Sequence, residues 1–518
     1  MRYLVLLLLP LATAGQSRIE GRVTNSVTGA PVAKATVTLV RDLPSDDGER
    51  RYSALSDADG KFAIEKVTAG EYRLLPSHAG FIAVEYGAKR PERRGTVLKF
   101  AGEQELKDVE VRLVPHGVLI GRVVDADGDP VESAQVQLLR QQYVDGKKTL
   151  TTVRSVYTND LGEYRAVGLV AGKYWLYAEW PRGPISGATE DYIPSYYVSA
   201  TDAAAAVPIE VSAGTQARAG DIQLRKARTA IVKGRVVLRL AGTSGRPSVA
   251  AYRIVGHNNR AASSFRRVEA NVNAAGEFEL RDLTPGSYRL TAAIAKAGIG
   301  MVSAPATVEV GGSKIEGVVL EIDDFLTVTG QLRVEDDAKL NASSPITVRL
   351  RRGEGNDRGR VEDDRTFRIR TVGRGRYQVV VDGLPAGFYV KSVRAGEADV
   401  TYNELDLTAG APQMLDILVS TKAATVSGTV TDSDGKPAAG ATVVLAPKEK
   451  ERPYPQIWSD QFGRFTFTSV IPGEYTVYAW EEVEPTAWMD PEFMKDVKGE
   501  AVTVGEGASA SVGVKVAK

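Results

Sequence analysis

The chain has 518 residues and balances 65 Lys plus Arg against 65 Asp plus Glu, so it carries no global field that would gather nucleic acid or an anionic membrane. Its 43% hydrophobic and 25% charged residues are those of an ordinary globular protein. With no cysteine it has no disulfide staple, no thiol nucleophile and no attachment point for a lipobox lipid.

Residues 1–14 start Met1-Arg2, run almost wholly apolar to Leu11 and end in Ala12-Thr13-Ala14. A charged start, an apolar run too short to span and small residues two apart predict a secretory signal peptide cut after Ala14. The expected location is therefore a bacterial periplasm or the cell exterior, with no transmembrane segment in the mature chain.

Five similar units are expected to follow, at residues 15–115, 116–226 (with a long insertion), 227–323, 324–422 (divergent) and 423–518. Each opens with an alternating strand around a glycine: Gly21, Gly121, Gly234, Gly330 and Gly428, spaced by 100, 113, 96 and 98 residues. A turn such as 25–29, 125–130 or 432–437 then leads to a second strand, as at 35–40, 134–139 and 441–445. The clearest recurrence comes next, at 56–74, 159–176, 273–290, 363–379 and 459–477. In every copy an aromatic residue stands ten positions before a tyrosine: Phe62 and Tyr72, Tyr164 and Tyr174, Phe278 and Tyr288, Phe367 and Tyr377, Phe465 and Tyr475. Apolar residues two positions after each ring put both rings on an inward face, where a buried tyrosine hydroxyl requires a partner. Arg365 stands where the other copies have the first turn glycine, which predicts a changed turn in the fourth unit. Closing strands lie near 108–114, 221–224, 315–322, 415–419 and 512–516, joined to the next unit by short linkers. Period-two alternation between glycine-rich turns predicts an all-β chain of tandem sandwiches. The short linkers predict an extended, semi-rigid rod approaching ~170 Å.

The segments GRVVDADGDPVESAQVQL with NDLGEYRAVGLVAGKYWL, and SGTVTDSDGKPAAGATVVL with SDQFGRFTFTSVIPGEYTV, resemble the carboxypeptidase regulatory-like domain. That resemblance covers the first, second and fifth units well and the third and fourth more weakly. It implies a seven-stranded Ig-like or transthyretin-like sandwich, related to the starch-binding-like fold, and it implies no reaction. The whole chain is similar to large multi-repeat bacterial exported proteins.

Little in the sequence points to catalysis. A metallocarboxypeptidase zinc needs two histidines and a glutamate. His78, His116 and His257 are the only histidines, lie in different units or linkers, and none begins an HxxE motif. The acidic turns at 57–59, 125–129 and 432–434 lack the spacing and the twelfth-position glutamate of an EF-type calcium loop and read as turn formers. The closing strands hold no asparagine for an intramolecular lysine crosslink. No catalytic residue, metal or cofactor is therefore expected. The candidate ligand-binding residues are aromatic: Trp175, Tyr177 and Trp180 in the second unit, and Tyr478, Trp480 and Trp488 in the fifth. Two readings stay open for them, stacking on a sugar or partner protein, or covering the outer sheet beneath the insertions at 191–206 and 485–495. Asp490-Pro491-Glu492 predicts the start of a short helix that packs Phe493 downward. The chain is read as a monomeric, non-catalytic exported structural, adhesion or scaffold protein of the cell envelope. The alternative is a carbohydrate-binding protein using exposed aromatics of units two and five, so a polysaccharide or another envelope protein is the expected partner.

Overall fold

The computed structural model describes residues 17–42, 51–88, 90–181, 189–239, 245–256, 267–296, 299–311, 314–340, 342, 344–352, 355–412, 414–449 and 451–517. The signal-peptide reading of 1–14 lies outside the described residues. The chain is nearly all β and forms tandem sandwiches, with a separate buried core around each of the five aromatic–tyrosine pairs.

The fifth unit shows the scheme in its simplest form. One sheet sets the opening strand Ala424–Thr431 between the aromatic strand Arg464–Val470 and the closing strand Ser509–Lys515. The other orders Gln456–Trp458, Thr442–Pro447, the tyrosine strand Gly473–Trp480 and Glu500–Val504. The first unit repeats this and adds the short strand Phe81–Ile82. The closing strand runs parallel to the opening strand in all five units. A parallel pair needs a crossover, so the last strand of each unit can join only after the chain has built the opposite sheet.

Two features that recur separately in the sequence meet here. Gly21 pairs with Phe62, Gly121 with Tyr164, Gly234 with Phe278, Gly330 with Phe367 and Gly428 with Phe465. An added Cβ would lie 2.7 Å from the Phe278 ring at Gly234 and 2.7 Å from the Phe465 ring at Gly428. The ring lies on the bare glycine backbone, which is why the opening strand carries no side chain there. Ten residues on, each tyrosine hydroxyl turns back to the residue four positions earlier. Tyr174 and Tyr377 donate to the carbonyls of Val170 and Gly373 at 2.7 Å, Tyr475 to Ile471 at 2.5 Å and Tyr288 to Thr284 at 3.0 Å. Tyr72 meets the Thr68 hydroxyl at 3.0 Å. The buried hydroxyls are thereby satisfied within their own turns.

The turn at Arg365 departs from expectation. Arg365 takes φ 63°, beside 77°, 70°, 82° and 73° at Gly60, Gly162, Gly276 and Gly463. Its N–H donates to the Glu362 carbonyl at 2.9 Å, as Gly463 does to Asp460. The turn is kept, not changed: strand pairing on both sides imposes the left-handed conformation, and the arginine adopts it.

The extended rod does not form. Besides meeting the fourth unit, the fifth touches the first through Lys99 and Gln461 and the second through Gly146 and Thr486. Short linkers restrict bending, but they do not set its direction. Here that direction is set by apolar and charged side chains on three protruding segments, which meet their partners only when the chain folds back on itself.

Candidate functional site

Those three segments meet in one place. The first unit contributes the loop 83–97, inserted after its tyrosine strand. Glu85 ties the base of this loop, accepting from the Gly95 N–H at 2.7 Å and from Arg73 at 3.0 Å. The loop thus presents Arg90, Glu92, Arg93 and Arg94 outward. The second unit contributes its long hairpin, Gln135–Val144 and Lys147–Tyr157. The fifth contributes the insertion that follows Trp480.

That insertion folds as its sequence predicts. Asp490 caps the helix Pro491–Met494 by accepting from the Glu492 N–H at 3.0 Å. Phe493 packs 6.3 Å from Trp480 and 6.0 Å from Tyr143 of the second unit. Gly146, at the hairpin tip, packs against Met489 and donates to Thr486 Oγ1 at 3.4 Å.

The first and fifth units join mainly through charge. Arg90 pairs with Glu482, and Lys99 lies 3.7 Å from Asp460. Gln461 Oε1 accepts from the Lys99 N–H at 3.0 Å, and the Arg94 guanidinium sits 4.7 Å over the Trp458 ring. Arg140 of the second unit lies over the core Tyr174 ring and pairs with Glu92 at 2.8 Å, which fixes the same loop from its other side.

Between the first and fifth units these contacts leave an open cleft of about 290 Å³, lined by Arg93, Arg94, Thr442, Gln456, Trp458 and Glu481 among others. Arg93 is half-buried, and burial followed by the neighbouring Arg90 pulls its pKa below the ordinary arginine value. Among the described residues no carboxylate lies at ion-pair distance from it, and Glu484 and Glu92 act on it from farther off. Of the four carboxylates lining the cleft, Glu482 and Glu92 are held by Arg90 and Arg140, Asp432 accepts the N–H groups of Asp434 and Lys436, and Glu481 is the fourth.

The six rings singled out in the sequence fall in two clusters, of which the fifth unit's reaches the cleft through Trp488. In the fifth unit, Trp480 is 2% and Trp488 6% exposed, stacked 6.3 Å apart, with the half-buried Tyr478 stacked 5.7 Å from Trp480. In the second unit, Tyr177 is 2% exposed and packs 5.0 Å from Tyr196, while the half-buried Trp175 borders a cluster that includes Val255 of the third unit. Trp180 packs edge-on to Tyr192 and donates its indole N–H to the Glu132 carbonyl at 3.2 Å. Tyr177, Trp480 and Trp488 are thus not the exposed rings that a sugar platform needs; the insertions and neighbouring units cover the sheet face on which alternation placed them. The rings of the two units are not brought together into one cleft. Sequence reasoning missed the loop of the first unit, although the charged run Arg90-Pro91-Glu92-Arg93-Arg94 marks it.

The acidic turns are engaged by backbone. Asp57 accepts from the N–H groups of Asp59 and Lys61, and Asp125 from those of Asp127 and Asp129. No helix among the described residues is long and apolar enough to cross a membrane.

The chain has no match among curated proteins. Among solved structures it is similar to the full-length RrgB pilus protein of Streptococcus pneumoniae, at 9% identity over 77% of this chain and 98% of that one, with a TM-score of 0.17. It is similar to the minor pilin GBS52 of Streptococcus agalactiae at 13% identity over 41% and 96% of the two chains, with a TM-score of 0.23. The TIE protein of Bacillus anthracis matches at 14% identity over 75% and 69%, with a TM-score of 0.17. Superpositions this loose carry no functional argument. The family model of the carboxypeptidase regulatory-like domain matches residues 18–102, 118–225 and 425–514, the three units that hold the Pro-x-x-x-Ala turn after the opening strand. Those matches span more than half of the chain, which belongs to the carboxypeptidase regulatory-like domain family.

Proposed function

We propose that the chain is a non-catalytic, exported structural or adhesion protein of the cell envelope, a scaffold whose last module clasps the first two. The clasp carries this reading. Its contacts join residues more than 300 positions apart, as in the hydrogen bonds of Lys99 to Gln461 and Gly146 to Thr486. The recurrent glycines, rings and tyrosines are used to build the sandwiches, and the segments that vary between units are used to hold them together. Such an arrangement suits a fixed spacer or platform.

Small-angle scattering of the mature chain tests the arrangement, and fractionation of the producing cells tests the placement. A compact particle that extends when Phe493→Ser and Arg90→Glu are combined supports the scaffold, provided the protein is found in the envelope or medium. Hydrolysis of a peptide or glycan by pure, metal-free protein overturns the non-catalytic reading. The second reading, carbohydrate binding by the rings of units two and five, requires polysaccharide retention that falls in Trp175→Ala or Trp480→Ala. The burial of Trp480 and Trp488 weighs against it.

A further inference from the structure

The cleft between the first and fifth units has a chemistry of its own. It takes residues from modules at opposite ends of the chain, so it exists only in the clasped form. Of its four lining carboxylates, those at 92 and 482 are neutralised by arginines outside or at the rim, that at 432 is engaged by its turn, and Glu481 stands as the fourth. Arg93 remains as a half-buried cation with no carboxylate at ion-pair distance among the described residues, and Glu484 and Glu92 offset its burial only from farther off. Arginine stays protonated in proteins, so relief of its desolvation must come from an anion and not from loss of the proton. The guanidinium fork favours a planar carboxylate that it can grip with two parallel hydrogen bonds.

The remaining lining narrows the class. Thr442 and Gln456 offer hydroxyl and amide groups, and Trp458 offers an aromatic edge beside the Arg94 guanidinium. About 290 Å³ lies at the small end of the ~300–1,000 Å³ range of ligand sites, room for a sugar-sized unit. A peptide would need to add to the edge strand Gln456–Trp458, which is three residues long and carries Arg94 on its last side chain. Short edge strands of this kind are poor templates for pairing.

We propose that this cleft binds a carboxylate-bearing sugar, a uronate unit of an acidic polysaccharide, with Arg93 gripping the carboxylate and Thr442 and Gln456 meeting ring hydroxyls. Of the rings considered above, the buried Trp488 also borders this cleft, and the site rests on the clasp that carries the scaffold reading, since only the clasped form brings its two modules together.

Calorimetric titration of the full mature chain with a trigalacturonate, a neutral trisaccharide and triglutamate tests it. The expected result is binding of the trigalacturonate only, weakened at least tenfold by Arg93→Gln and weakened less by Arg93→Lys, which keeps the charge and loses the fork. Thermal melts of both variants should match the parent, so that the loss reads as a lost contact. Absence of trigalacturonate binding, or binding unchanged in Arg93→Gln, overturns the site. Equal or tighter binding of triglutamate overturns the sugar assignment, and equal binding of the neutral trisaccharide overturns the role of Arg93.

Discussion

Gly428 and Phe465 face each other across two antiparallel strands, with the phenyl ring lying on the glycine backbone. A Cβ at Gly428 would also collide with the Val512 carbonyl of the closing strand. Gly428→Ala should therefore destabilise the fifth unit by about 2–3 kcal/mol, the usual penalty of overpacking a filled core. Hydrogen exchange across 424–516 should show the loss confined to that unit. Unchanged protection would mean that the glycine is not required for the close approach.

A buried hydroxyl closes the turn after the opening strand. Ser459 Oγ donates to the Ala438 carbonyl at 2.6 Å and accepts from the Ala441 N–H at 2.9 Å. Ser56 and Thr158 make the same pair of contacts in the first and second units. Val272 and Val361 stand at this position in the third and fourth, outside the residues that the family model matches. Ser459→Ala leaves a buried carbonyl and N–H unpaired and should cost roughly 2–3 kcal/mol. Chemical denaturation followed through Trp458, the preceding residue, would report it.

Tyr164 is the one tyrosine among the five first rings. Its buried hydroxyl has no hydrogen-bond partner among the described residues, and burial pushes its pKa well above the ordinary value. Tyr164→Phe should thus stabilise the second unit by about 1 kcal/mol. A lower melting temperature would show that the hydroxyl is satisfied in solution.

The left-handed conformation of Arg365 costs a non-glycine residue about 1–2 kcal/mol. Glycine returns part of that through its freer unfolded chain, ~0.5–1 kcal/mol. Arg365→Gly should therefore raise the stability of the fourth unit by roughly 0.5–1 kcal/mol in denaturant titration, and an equal loss would mean that the arginine contacts matter more than its backbone.

The junction of the fourth and fifth units is tied by Lys391, whose ammonium lies 2.7 Å from both Glu335 and Glu506. Hydrogen bonds from Lys391 and Ser420 hold the Glu335 carboxyl below its ordinary range, and those to Glu335 and Glu506 raise Lys391. A depressed carboxylate contributes above its unfolded pKa, ~4.3, and the contribution is lost as pH falls through the lower folded value. The raised lysine contributes below ~10.4 and is lost as pH rises through its folded value. Glu335 and Lys391 both belong to the fourth unit, and of the two pairs only Lys391–Glu506 crosses the junction. Spectroscopic distances across it should therefore be constant from neutral pH up to ~10.4 and lengthen as pH rises through the folded lysine value. In Lys391→Met the distance should already be long at neutral pH; a distance indifferent to the substitution and to high pH would remove the tie.

The sequence by itself determined the repeat, the inward phase of Phe465 and Tyr475, the turn aspartates and the capped helix at Asp490, because each depends on residues within about ten positions of one another. Alternation places Trp480 on the outer face of its sheet but carries no information about what covers that face. Only the tertiary structure decided that Tyr143, from a hairpin more than 300 residues earlier, would help bury it. The same reason separates the expected rod from the clasp: linker length limits how far adjacent units can bend, whereas the fold-back follows from pairings such as Arg90 with Glu482, whose two halves look like ordinary surface charge until the chain brings them together.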